Sequence, residues 1–170
     1  MERKLDVERV KMAVHTPLDY SEYASTVVKD DVNCYTHAIG ATSIHMGLRL
    51  GELCGKKPIN EHYISEKEIE ELFIEDMKAI RLTCRKIEKN KDMLKWLDNH
   101  EFKPNEAVVF LFVQHNGDGS IRDFHFWRYD TQEGFTEKRF WWPLIKIKNP
   151  RYSWPEGILC TFVGAYLIKR

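Results

Sequence analysis

The chain has 170 residues, with 26 Lys and Arg against 26 Asp and Glu, and 43% of its residues are hydrophobic. This composition predicts one soluble globular domain that can bury a hydrophobic core. The net charge of zero argues against a nucleic-acid-binding protein, which normally carries a basic excess or stripe. No apolar run approaches the ~20 residues that cross a bilayer, so we expect no membrane association.

The cysteines limit the chemistry further. Their wide spacing contains no CxxC pair of the kind found in structural zinc sites, and the N-terminal segment has no apolar stretch typical of a secretory signal. We therefore expect free thiols, no metal and no cofactor. We also expect a cytoplasmic protein, with release by lysis or by a dedicated secretion system as the other options. The cysteines are Cys34, Cys54, Cys84 and Cys160.

Helical patterns fill much of the first hundred residues. Asn33 follows a polar loop and is a good helix N-cap, because its side-chain oxygen can accept a bond from an unpaired amide of the first turn. Apolar residues at helical spacing then predict a short helix over about 34–46. Ser65 and Glu68 form a capping box, and an apolar stripe predicts a long amphipathic helix through Lys89.

The pattern changes to strands from residue 104 onward. A continuous apolar run predicts a strand buried on both faces, and turn sequences separate it from three later strands. The predicted strands are 107–113, 123–130, 135–140 and 161–168. The fold class is α+β, with N-terminal helices packed on an antiparallel β-meander. One domain spans 1–170, comprising an N-terminal arm (1–28), a helical half (29–100) and a sheet half (104–170).

Cys34 and His125 are candidates for a catalytic pair. Cys34 lies at the start of a predicted helix, where the partial positive charge of the helix N-terminus favours a thiolate. His125 lies within a strand, with Phe124 and Phe126 on the opposite face. A cysteine nucleophile needs a base within hydrogen-bond reach and a third group to orient that base. The alternative is a core cysteine and a structural histidine.

Four segments in register resemble a group of bacterial and phage proteins related to papain-like (NlpC-type) cysteine peptidases and amidases. The segments read NCYTHAIG from Asn33, LGELCG from Leu50, DFHFWRYD from Asp123 and FVGAY from Phe162. The resemblance spans about residues 30–168. It implies a papain-like fold with a helix that carries the nucleophile Cys34, and with His125 as the base.

The third catalytic position departs from that family. Its third strand commonly reads WSHK, whereas this chain has Glu137 where the histidine often stands. A carboxylate at this position could orient His125, or Glu137 could instead pair across the strands with Arg128, since the reach to His125 looks long. Asp123, two residues from His125 on the same face, is another candidate.

Several residues are candidates for substrate contacts. In a papain-like domain, aromatic side chains near the histidine strand would flank the cleft, which points to Trp127, Trp141 and Trp142. Asn33 or Gln114 could supply an oxyanion-hole amide. His37, one turn after Cys34, either touches the thiol or is a partly buried helix residue.

These observations predict a cysteine hydrolase, a peptidase or amidase acting on a peptide or isopeptide amide through a Cys34 thioester, with His125 as base. A peptide or protein substrate would be its partner, and no nucleic acid is expected. The alternative is a catalytically inactive papain-like module that binds a partner in an aromatic groove. A third possibility is an assembly protein with exposed tryptophans at a subunit contact.

Overall fold

A computed structural model describes residues 4–15, 31–56, 65–88, 92–139, 144–148, 150 and 160–170. The helices are α1 (Val7–Ala13), α2 (Cys34–Ala38), α3 (Glu66–Ala79) and α4 (Met93–Asn99), with a 3-10 turn at Thr42–Ile44. The strands are β1 (Thr83–Ile87), β2 (Glu106–His115), β3 (Ile121–Asp130), β4 (Gly134–Glu137), β5 (Ile145–Lys146) and β6 (Cys160–Lys169). The α+β class is therefore confirmed. No helix in these residues is both long and apolar enough to cross a membrane.

The described strands form one antiparallel sheet in the order β1-β6-β2-β3-β4-β5. The predicted meander is confirmed for β2, β3 and β4, and β5, which was not predicted, extends it. The last strand, β6, returns across the sheet and lies between β1 and β2 instead of following β5 at the edge. The turn patterns that predicted a meander describe local connections, whereas the position of β6 depends on long-range pairing.

Two apolar cores cover the two faces of the sheet. The first packs α1, α2 and α3 on one face, and the second packs α4 on the other. Strand β2 lies between them, and its residues from Ala107 to Val113 are fully buried, as the continuous apolar run predicted. Neighbours along β2 alternate between the cores: Val109 and Leu111 face the first, whereas Val108 and Phe110 face the second.

The predicted helix lengths are wrong in two places. The helix expected over 34–46 ends at Ala38, where Gly40 adopts a positive φ of 79° and the chain turns. The helix expected through Lys89 ends at Ala79, and Arg81 reverses the chain with a φ of 59°. Strand β1 follows and pairs with β6, so the helical half also contributes a strand. Sheet pairing overrides the helical spacing there.

Other boundaries agree more closely with the prediction. The capping box at Ser65 and Glu68 is present in both directions, so α3 begins where the sequence placed it. Strand β4 is Gly134–Glu137, so it begins one residue before the predicted 135–140, and residues 138 and 139 lie beyond its end. Part of the predicted N-terminal arm is helical, because Asp6 caps α1 through the Arg9 amide.

Candidate active site

Cys34 is the first residue of α2, and the Asn33 cap fixes its position. The Asn33 side-chain oxygen accepts from the Thr36 amide at 2.9 Å, which confirms the predicted N-cap. The Asn33 amide nitrogen donates to the Leu48 carbonyl at 2.6 Å. A Cβ on Gly47 would lie 3.2 Å from that nitrogen, so the loop after α2 packs tightly on the cap. The predicted contact of Asn33 with substrate stays a prediction.

A buried carboxylate holds α2 from behind. The hydroxyl of Tyr35, the residue after Cys34, donates to Asp76 of α3 at 2.7 Å. Asp76 also accepts from the amides of Gly51 and Cys54, at 2.6 and 2.8 Å. Burial raises the pKa of Asp76 and raises that of Tyr35 well above its usual value. Asp76 therefore joins α2, the loop at 50–56 and α3.

Asp76 was not predicted as a site residue, although its position among the apolar residues of α3 indicates a buried carboxylate. Leu72, Phe73 and Met77 lie on the apolar stripe of α3, and position 76 falls on the same side at helical spacing. A carboxylate on an apolar stripe must find donors when it is buried. Residue 76 is fully buried and has three donors.

His37 serves to attach α2 to the sheet. Its Nε2 lies 3.0 Å from the Thr136 hydroxyl on β4, and the ring is completely buried. Burial first, and the positive charges of Arg128 and His125 next, lower its pKa well below the usual value. His37 is therefore neutral at physiological pH. The sequence predicted either a contact with the Cys34 thiol or a partly buried helix residue. In the structure, Nε2 contacts a threonine hydroxyl and the ring is fully buried.

His125 lies on β3 with the alternation that the sequence predicted. Phe126 belongs to the first core and Phe124 packs against it, whereas Trp127 belongs to the second core. His125 lies opposite Phe112 in the β2 register. Its side chain is 19% exposed, so the ring is enclosed but still accessible from solvent.

His125 contacts both Cys34 and Glu137. Its Nε2 lies 3.0 Å from Glu137 Oε2, and its ring shares a hydrogen bond with the Cys34 side chain. With Nε2 facing the carboxylate, Nδ1 is the nitrogen left for the thiol. Burial alone lowers the pKa of His125. The hydrogen bonds and Coulomb attraction from Cys34 and Glu137 outweigh burial and raise that pKa to about 9.

The Glu137 carboxylate faces His125 and not Arg128, so the alternative in which it pairs across the strands with Arg128 is wrong. Glu137 lies opposite Trp127, whose indole nitrogen donates to Oε2 at 3.1 Å. Arg139 contacts Oε1 at 2.7 Å. Burial raises the pKa of Glu137, but the bonds from His125 and Arg139 outweigh burial and lower it. The carboxylate therefore remains charged beside the histidine.

Arg128 has a structural role instead. Its guanidinium donates to the carbonyls of Ala38, at 2.8 Å, and His15, at 3.1 Å, and lies 3.4 Å from Asp130. The side chain is fully buried. Arg128 therefore donates to one carbonyl at the end of α2 and to another just after α1, on the face of β3 away from Glu137.

The remaining predicted site residues have different outcomes. Trp127 is 4% exposed and packs on Phe112 in the second core, and its predicted contact with substrate stays a prediction. The Asp123 carboxylate accepts from the Phe124 amide, and Glu137 takes the position at His125 Nε2 for which both were candidates. Gln114 lies half-buried opposite Asp123. The predicted contacts of Trp141 and Trp142 lie outside the described residues.

The four cysteines are free thiols in unlike surroundings. Burial raises the pKa of Cys84 to about 12 and that of Cys160 to about 11, and it also raises the pKa of Cys54. These three thiols stay protonated at neutral pH, and a protonated thiol is a poor nucleophile. Cys34 is the thiol that shares a hydrogen bond with the catalytic candidate His125.

Comparison with models of known protein families, with curated proteins and with solved structures found no significant match to this chain. Within the part of the chain that the structure describes, no three His, Cys, Asp or Glu side chains are grouped to hold a metal ion. The chemistry of the site therefore has to be inferred from the contacts among Cys34, His125 and Glu137.

Proposed function

We propose that this chain is a papain-like cysteine hydrolase that acts on a peptide or isopeptide amide. The observation that carries the proposal is the row of contacts from the Cys34 thiol through His125 to the Glu137 carboxylate. A nucleophile, a base and a group that orients the base are the three parts that thiol catalysis requires. The fold supports the proposal, because a helix that begins at the cysteine packs on the antiparallel sheet that carries the histidine.

The reactive form of the pair is a Cys34 thiolate beside a His125 imidazolium, in which the proton of Sγ already lies on Nδ1 before the substrate binds. The resulting thiolate attacks the amide carbonyl carbon, and the C–N bond breaks as the His125 imidazolium gives its proton to the leaving amine. This leaves a thioester on Cys34. Neutral His125 then takes a proton from water, whose oxygen attacks the thioester, and the acid product leaves as the thiol is restored. Because the pKa of His125 is about 9, the imidazolium persists at neutral pH.

The contacts of Glu137 bear on the alternative of an inactive binding module. Loss of the third catalytic residue would favour that alternative, but the Glu137 carboxylate lies 3.0 Å from Nε2 of His125. The alternative also requires Trp127 to line an aromatic groove, and this side chain is buried. We therefore favour the hydrolase. The substrate is a peptide or protein in this proposal, with cytoplasmic action, or release by lysis or a dedicated secretion system.

The proposal is tested by the reactivity of Cys34 toward iodoacetamide at pH 7. We expect carbamidomethylation of Cys34 to exceed that of each other cysteine at least about tenfold, read by peptide mass spectrometry under native conditions. His125→Asn should slow the labelling of Cys34 to the rate of free cysteine. Cys84→Ser is the matched control. Cys84 lies on β1, away from Cys34 and His125, so this substitution should leave the labelling of Cys34 unchanged.

Turnover is measured separately with a panel of fluorogenic peptide and isopeptide amides. Cys34→Ala should abolish release of the amine, and Cys34→Ser should lower it by at least about a hundredfold because the alcohol is a weaker nucleophile. Labelling of Cys34 no faster than free cysteine would refute the proposal. Amide cleavage that survives Cys34→Ala would refute it equally.

A further inference from the structure

The two oxygens of Glu137 are held from two sides. Oε2 accepts from His125 and from the Trp127 indole, at 3.0 and 3.1 Å, while Oε1 lies 2.7 Å from the Arg139 guanidinium. The Glu137 side chain is only 4% exposed, whereas Arg139 is 41% exposed. A cation at the surface therefore holds a buried carboxylate whose other oxygen faces the base.

The ion pair with Arg139 helps the Glu137 carboxylate to reach His125. Strand β4 ends at Glu137, which pairs with Trp127 and not with His125. His125 lies two residues before Trp127 in β3, outside the residues of β3 that pair with β4. The Glu137 side chain must therefore lean along the strand to meet Nε2, and a glutamate has several rotamers of similar energy. An ion pair on the far oxygen removes much of that freedom.

We propose that Arg139 is a positioning residue of the candidate site, holding Glu137 Oε1 so that Oε2 is directed at His125. The inference rests on the proposed function, because it assigns Arg139 to the support of the proposed base. Arg139 does not contact the reacting atoms in this account. It acts through Glu137, and its loss leaves the carboxylate free to turn toward solvent or to remain with Trp127 alone.

Two accounts of Arg139 predict opposite changes at His125. If Arg139 acts only as a nearby positive charge, its removal favours a second positive charge and raises the pKa of His125. If Arg139 directs Glu137, its removal weakens the contact that stabilises the imidazolium, and the pKa falls. The other groups that face this network stay in place in either case: Cys34 and His37 on α2, and Lys138 beside Glu137.

The experiment is an NMR titration of His125 in the full chain, with ¹³C-labelled histidine and with His125→Asn to assign the signal. In Arg139→Met we expect the midpoint of His125 to fall by about one pH unit, a tenfold change in the protonation equilibrium. Arg139→Lys keeps a cation, so the His125 midpoint should fall by no more than about half as much as in Arg139→Met. Because Arg139 is largely at the surface, these variants should keep the native fold.

Lys146→Met is the matched control. Lys146 is 51% exposed and lies 2.9 Å from Glu133, a carboxylate only 8% exposed, so it forms the same kind of pair away from His125. It should leave the His125 midpoint in place. A midpoint in Arg139→Met that is unchanged or higher would overturn the inference, as would an equal fall in Lys146→Met. The His125 titration tests the role of Arg139 independently of Cys34 reactivity. A Cys34 that does not react with iodoacetamide would refute the proposed function and not this inference.

Discussion

Removal of the buried Asp76 carboxylate should destabilise the protein and disturb α2, the helix that begins at Cys34. In Asp76→Ala the Tyr35 hydroxyl and the amides of Gly51 and Cys54 lose their acceptor at once. A buried donor left without a partner costs about 1–3 kcal/mol. Since the three donors share one site and can relax together, we expect a loss of about 3–5 kcal/mol in the free energy of unfolding rather than the full sum.

Two further substitutions grade this effect. Tyr35→Phe removes one donor and leaves the carboxylate with two, so it should cost only about 0.5–1.5 kcal/mol. Asp76→Asn keeps one acceptor oxygen but turns an N–H toward a donor, which should cost about 1–3 kcal/mol. The expected order of loss is Tyr35→Phe, then Asp76→Asn, then Asp76→Ala.

The assay is urea unfolding followed by tryptophan fluorescence, with the free energy taken by linear extrapolation. Glu75→Ala is the control on the neighbouring position. Glu75 pairs with Lys56 at 2.5 Å, but both side chains are more than 40% exposed, so its loss should cost under about 0.5 kcal/mol. A loss of less than 1 kcal/mol in Asp76→Ala, or one equal to that in Glu75→Ala, would refute the account of Asp76 given above.

Two other predictions concern charge and backbone geometry. Glu137→Gln removes the negative charge beside His125, so the pKa of His125 should fall from about 9 by at least one pH unit, measured by histidine NMR, and an unchanged titration would contradict the contact. Gly40→Ala puts a Cβ 2.4 Å from the His15 carbonyl oxygen at a φ of 79°, so it should cost more than about 2 kcal/mol in urea unfolding. Gly55→Ala, at a φ of 76° in open space, is its control and should cost about 1 kcal/mol.

The sequence predicted the parts of the fold that depend on local pattern. The continuous apolar run of β2, the alternation around His125 and the capping box of α3 all reflect contacts that neighbouring residues make with one environment. It did not predict β1, because Cys84 and Ile87 continue the helical spacing of α3, and only pairing with β6 makes this segment a strand.

The candidate site shows the same division. Cys34 and His125 were predicted from a helix start and a strand position, which are local features. The role of Glu137 was left open, because its reach depends on how far β4 extends along β3 and on the Arg139 contact. Trp127 was assigned to a cleft because aromatic side chains near the histidine strand would flank the cleft in a papain-like domain. That resemblance does not show that Trp127 belongs to the second core, together with residues of α4.

The position of β6 has a consequence for how the chain reaches its native state. β6 is the last described strand in chain order, yet it supplies an edge to both β1 and β2. Until β6 pairs, β1 has no neighbour among the described strands, and β2, whose residues 107–113 are all apolar, carries one unpaired edge. An open, apolar strand edge is prone to pairing with other chains. We therefore expect aggregation to compete with folding during synthesis until β6 is inserted.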